Sequence, residues 1–120
     1  INKHISSMDV LLIPSDSSLI RSLGGVGNIS KFTSPMKLFD YLASGKLIIA
    51  SDVKVYKEII QHRKNCIIIK KLNTIVWLKT LNQIHSNLKK INKIKRNAFN
   101  LSKKYTYTLR AKNLLKNCNF

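Results

Sequence analysis

Three short apolar runs punctuate the first half of the chain: Met8 to Ile13, Leu47 to Ala50, and Cys66 to Ile69. Each is too short for a helix and is bounded by polar or turn residues, which reads as a buried strand. Between the first two lies a polar, glycine-bearing stretch from Pro14 to Thr33, an expected long loop with one weak turn near Leu19 to Leu23. A loop of that length in a small domain is usually functional or mobile. Ser34 to Lys46 then changes to a helical pattern, with Leu38, Phe39, Leu42 and Ala43 as its apolar face. Ser34 suits an N-cap, Pro35 the first helical position, and Gly45 a left-handed stop. Val53 to Ile60 fits a short helix. Strands alternating with helices predict an α/β fold with a Rossmann-like parallel sheet.

The second half follows a three- and four-residue period. Trp77, Leu78, Leu81, Ile84, Leu88 and Ile91 form one apolar face of an expected single long helix. Ala98, Leu101 and Tyr105 continue a helical face, and Leu109 to Leu115 reads as a last helix. The 120 residues are expected to form one partial domain, with an α/β part at 1–70 and a helical tail at 71–120.

Charge narrows the picture less than its size suggests. There are 22 basic and 5 acidic residues, a formal net charge of +17. Such a balance points to an anionic partner, or to the lysine, isoleucine and asparagine bias of an A/T-rich genome. Arginine, the better fork for phosphates and bases, occurs only at Arg21, Arg63, Arg96 and Arg110, which argues against nucleic acid as a partner. The lysines from Lys89 to Lys104 read as a solvated helix face, or as a peripheral contact with an anionic membrane.

No apolar run approaches the ~20 residues of a membrane span, and the opening Ile1-Asn2-Lys3-His4 lacks a signal segment. A cytoplasmic location is expected, with the inner face of the plasma membrane as an option. Cys66 and Cys118 have no metal or redox spacing and are expected to be structural and reduced. His4, His62 and His85 suggest surface or packing roles, and no metal site is expected. The Gly24 to Gly27 stretch is a poor dinucleotide fingerprint. The sequons at Asn28 and Asn100 carry no weight without a secretion signal.

The helix beginning near Ser34 is where chemistry concentrates. By position in the expected helix, the first amides, at Met36 and Lys37, would face an anion beyond its end. The positive end of the helix dipole favours the same ligand. Asp40 lies about one turn inside and can accept hydrogen bonds from hydroxyls.

Three blocks carry a resemblance: Asp9-Val10-Leu11-Leu12-Ile13-Pro14-Ser15, Ser34-Pro35-Met36-Lys37-Leu38-Phe39-Asp40-Tyr41-Leu42-Ala43-Ser44-Gly45-Lys46, and Ile48-Ile49-Ala50-Ser51-Asp52. In order and spacing they are similar to the C-terminal, donor-binding half of GT-B glycosyltransferases of the group-1/family-4 type. Tyr105-Thr106-Tyr107, Arg110-Ala111 and Leu114-Leu115 resemble the helical ending of that half. The resemblance implies transfer of a sugar, with retention, from a nucleotide-sugar donor that is substrate rather than cofactor, without a metal. It places the diphosphate at the helix start, against the Met36 and Lys37 amides and the Lys37 charge, and the ribose on Asp40.

The family has glutamate where Asp40 stands, one methylene longer. Its other acidic position, eight residues earlier, falls on Phe32 here, and Leu47 replaces the usual proline after Lys46. Such enzymes carry further strands before the Asp9 block and an N-terminal half that binds the acceptor. The present chain is therefore expected to be a fragment, inactive in transfer on its own. The rival reading is a non-catalytic remnant or a split subunit needing a partner chain. A basic nucleic-acid-binding module is the weakest alternative.

Overall fold

The apolar runs become the strands of a parallel sheet in the computed structural model, which describes residues 2–15 and 36–118. A short helix, α1 (Asn2–Ser6), precedes β1 (Val10–Ile13); the sequence pattern gives no sign of it. After residues outside the described set come α2 (Met36–Ser44), β2 (Leu47–Ser51), α3 (Lys54–Lys57) and β3 (Ile67–Ile69). The helices α4 (Thr74–Ile84) and α5 (Leu88–Ser102), a 3-10 turn (Lys103–Tyr105) and α6 (Tyr107–Asn117) complete the described chain.

The strands lie in the order β1-β2-β3, all parallel, with Val10 beside Leu47 and Ile49 beside Ile67. Every residue of β2 is buried, as a central parallel strand covered on both faces must be. Its alternating side chains build two cores. Ile48 and Ala50 join Ile13, Leu38, Leu42, Tyr56 and Ala98 on one face. Ile49 joins Ile69 and Trp77 on the other, with Leu81 and Ile84 packed against them. Burying one such leucine or isoleucine contributes about 1.5–3 kcal/mol.

The long helix expected from Trp77 to Ile91 is in fact two. α4 packs its Trp77, Leu81 and Ile84 on the Ile49 face, whereas α5 contributes Ala98 to the core on the Ile48 face. One straight helix cannot cover both faces, so the chain turns at His85-Ser86-Asn87 and restarts. The Asn87 side chain marks the restart by accepting the Lys90 N–H at 3.3 Å. Apolar periodicity continued across the break because each helix has an inward stripe of its own.

Smaller departures have local causes. The helix expected over 53–60 is one turn, and Ile59 and Ile60 follow it through hydrogen bonds to the Tyr56 carbonyl. Ala43 is exposed rather than part of the α2 core face, which consists of Leu38 and Leu42 with Phe39 half-buried. Gly45 ends α2 at φ +66°, as expected of a left-handed stop.

His62 lies at the surface, where its Nδ1 accepts the Ile68 N–H at 2.9 Å. Loss of water around the ring, then the charges of Arg63 and Lys70, hold its pKa below the ordinary value. Cys66 is fully buried and Cys118 exposed, and burial pushes the Cys66 thiol up to about 12.

Candidate functional site

Because α2 connects two parallel strands, it runs back against them, and its first turn lies at the carboxyl edge of the sheet. Ser51 ends β2 and Asp52 follows it at the same edge, and Ser15 follows β1 there. The Ser15 N–H donates to Ser51 Oγ at 2.8 Å, and the Ser15 and Tyr56 hydroxyls are 3.2 Å apart. Lys57 Nζ stands 2.9 Å from the Asp52 carboxylate. These bonds tie the ends of β1 and β2 to α3 and give the edge a polar surface.

Burial of Leu38 and Leu42 fixes the rotation of α2 and turns Asp40 outward with Met36 and Ala43. At 1.5 Å per residue, Asp40 lies about 6 Å along the helix from Met36. This face of α2 does not look into open solvent. The 3-10 turn after α5 brings Tyr105 to Phe39, with ring centroids 5.2 Å apart, and Thr106 then caps α6 by accepting the Leu109 N–H at 3.3 Å. The result is a cleft of about 580 Å³ between α2 and the C-terminal helices.

Asp40 and Met36 line that cleft from one side, with Tyr105, Tyr107 and Arg110 on the other. Lys103 and Lys104 stand at its wall, and Asp40 is the sole acid among the described lining residues. The Asp40 carboxylate makes no ion pair among the described residues, and the side chain is exposed. It is thus an open acceptor beside several cations, suited to a ligand with both hydroxyls and negative charge.

Of the expected site residues, Met36 and Asp40 are brought together in this cleft. Lys37 is exposed on α2 but is not among the residues lining the cleft. Ser34 and Pro35 lie outside the described residues, as do the glycine stretch at 24–27 and Phe32. The aromatic and basic wall opposite Asp40 was not assigned a role from the sequence. Its signal was present in Tyr105-Thr106-Tyr107 and Arg110, which mark the helical ending but give no hint of which helix they face.

A larger cavity of about 820 Å³ opens between β3, α4 and α5, and none of the expected site residues lines it. Among the described residues, no three of His, Cys, Asp and Glu come close enough to hold a metal ion.

No protein-family model and no curated protein matches the sequence. The fold, by contrast, is found among solved structures. The crystal structure of Anabaena Alr3699/HepE in complex with UDP matches with a TM-score of 0.71 at 12% sequence identity. The match covers 98% of this chain and 29% of that one, so the chain spans less than a third of the length of HepE. The common ground is the α/β, Rossmann-like arrangement of parallel strands and flanking helices expected from the sequence.

Proposed function

We propose that this chain is the nucleotide-binding part of a sugar-transfer enzyme, with a nucleoside diphosphate sugar as its donor. One observation carries the reading: Asp40 opens into a cleft beside the first turn of α2, within a fold shared with a UDP-bound protein. The diphosphate would lie at the start of α2, near Met36 and Lys37, where the helix dipole favours negative charge. Asp40, roughly one turn on, would accept hydrogen bonds from the ribose hydroxyls. Arg110 would supply a cation across the cleft.

The chemistry asked of these groups is stabilisation of charge. When the bond between sugar and diphosphate breaks, negative charge grows on the leaving phosphate. Fixed positive ends of dipoles and cations aimed there lower the barrier. Nothing in this arrangement selects an acceptor. The modest share of HepE that the chain covers favours a reading in which the acceptor-binding half is supplied by further polypeptide or a partner chain. Sugar transfer is then expected only when that half is present, whereas nucleotide binding belongs to the 120 residues.

Thermal unfolding with UDP, GDP and their sugars tests the reading. A ligand at about 100 times its Kd stabilises the fold by roughly 2.7 kcal/mol, a rise of several degrees. Asp40→Ala is expected to weaken binding at least tenfold, since hydrogen bonds to a charged group contribute about 1.5–3 kcal/mol. Its exposed position leaves the melting temperature without ligand unchanged. Affinity equal to that of the parent would remove Asp40 from the site, and no response to any nucleotide at millimolar concentration would reject the reading.

A further inference from the structure

Strand β3 closes one side of the described sheet: β2 pairs with it, and no other described strand does. The Ile69 carbonyl faces the β2 side, where it accepts the Asp52 N–H at 3.0 Å. The N–H of its neighbour Ile68 therefore points the opposite way, out of the sheet. An outer edge of this kind is a template for a further strand unless something covers it. Here the cover is slight. The Arg63 N–H donates to the Cys66 carbonyl at 2.8 Å, and His62 Nδ1 accepts the Ile68 N–H at 2.9 Å. An exposed side chain thus occupies the place of a neighbouring strand's carbonyl.

The 820 Å³ groove follows this edge: all three residues of β3 line it, with α4 on one side and α5 on the other. Its two walls differ in charge. Ile67 packs toward the α4 layer, and α4 gives the groove Val76, Thr80, Gln83 and Ile84, none of them charged. Ile68 packs toward the other core, the one Ala98 joins, and α5 gives the groove Lys90 and Lys93. Lys64 is on that side too, because the Asn97 side chain of α5 donates to its carbonyl at 2.7 Å, and Arg63 precedes it. Lys70 follows β3, and no acid is among the described lining residues.

Side chains of a strand alternate between its two faces. A strand laid on the β3 edge would send every second side chain to an uncharged, partly apolar wall and those between to a basic one. We propose that this groove is a docking site for an extended peptide segment of alternating apolar and acidic residues, which pairs with β3 in place of His62. Backbone pairing supplies affinity and the two walls select side chains, whatever ligand the α2 cleft holds. The nearest two acidic residues of this chain, Asp52 and Glu58, are six positions apart, so the segment belongs to other polypeptide. Nucleic acid fits the groove less well, since its described lining has no Phe, Tyr or Trp on which bases could stack.

His62 makes the exchange pH-dependent. Its Nδ1 accepts a hydrogen bond only while the ring is neutral. Loss of water around the ring, then the charges of Arg63 and Lys70, favour that form. Lys64, Lys90 and Lys93 add positive charge to the groove, and the residues α4 places there add none. Peptide carboxylates offset these charges, and a ring displaced into water regains its ordinary basicity. Binding therefore takes up a proton and strengthens as pH falls toward the ordinary histidine range.

Fluorescence anisotropy of a labelled hexapeptide of alternating glutamate and valine, titrated with the 120-residue chain, tests the proposal. Binding is expected, and tighter at about pH 6 than at about pH 8; titration of the glutamates alone would give the opposite sign. A peptide of the same composition with its glutamates in one block should bind roughly fivefold more weakly, since it cannot match both walls. The pair Lys90→Gln, Lys93→Gln changes only exposed side chains and should cost roughly threefold per lysine. His62→Ala should instead bind more tightly than the parent and lose the pH dependence, because the Ile68 N–H then has no internal partner. Should that variant not fold, the lysine pair and the blocked peptide decide. No binding at millimolar concentration overturns the proposal. So does equal affinity for the blocked peptide, a lysine-pair variant that binds like the parent, a folded His62→Ala that keeps the pH dependence, or a preference for RNA in direct competition at equal salt.

Discussion

Gly45 holds a backbone angle that an L side chain rarely adopts, and the entry into β2 depends on it. Its N–H donates to the Leu42 carbonyl at 3.3 Å, which ends α2 and points the chain at Leu47. A methyl group placed there would lie 3.8 Å from Phe99, an ordinary contact. The penalty for Gly45→Ala is therefore conformational rather than steric, about 1–2 kcal/mol, and a lowered urea midpoint with unchanged slope would show it. Gly45→Asn should cost less, because asparagine tolerates the left-handed region. A stop residue of this kind is readable in sequence, since its cause lies within a few residues. The pairing of Asp40 with Arg110 in one cleft is not, because it follows from where α5 and the 3-10 turn after it carry the start of α6. Asp40 was identifiable as a carboxylate one turn into a well-started helix; the wall facing it required the tertiary fold.

At the scale of the element, the break between α4 and α5 decides which face of the sheet each covers. Asn87 accepts the Lys90 N–H and so meets one of the donors that a helix start leaves open. Asn87→Ala is expected to lower stability by about 1 kcal/mol, read as a fall in melting temperature of several degrees. An unchanged melting temperature would show that packing of Ile94 and Ala98 alone sets the start of α5. Strands were legible because four or five consecutive apolar residues can scarcely be anything else at that length. The helix pair was not, because periodicity reports which side chains turn inward but not toward which layer. The difference between one long helix and two lies in three polar residues, His85-Ser86-Asn87, that a solvated helix could also accommodate.

Across the described molecule, a small parallel sheet is flanked by helices that carry most of the positive charge. The parallel topology places the starts of α2 and α4 at one edge and gives two surfaces of different chemistry. One is a cleft with an open carboxylate, the other a groove with none. The fold match to HepE accounts for the layering.

The two thiols sit at opposite extremes of this arrangement. Cys66 lies in the core cluster around Ile48 with no exposed surface and its pKa pushed up to about 12, so thiolate is scarce at mildly alkaline pH. Cys118, at the end of the chain's described portion, is open to water. An alkylating reagent at pH 8 should therefore modify Cys118 at once and Cys66 only as fast as the sheet opens, resolved by mass spectrometry of the two peptides. Equal rates would mean that the β3 side of the core opens freely. With one cysteine at the surface and one at the centre, the chain carries its own clock for unfolding, with the starting signal built in.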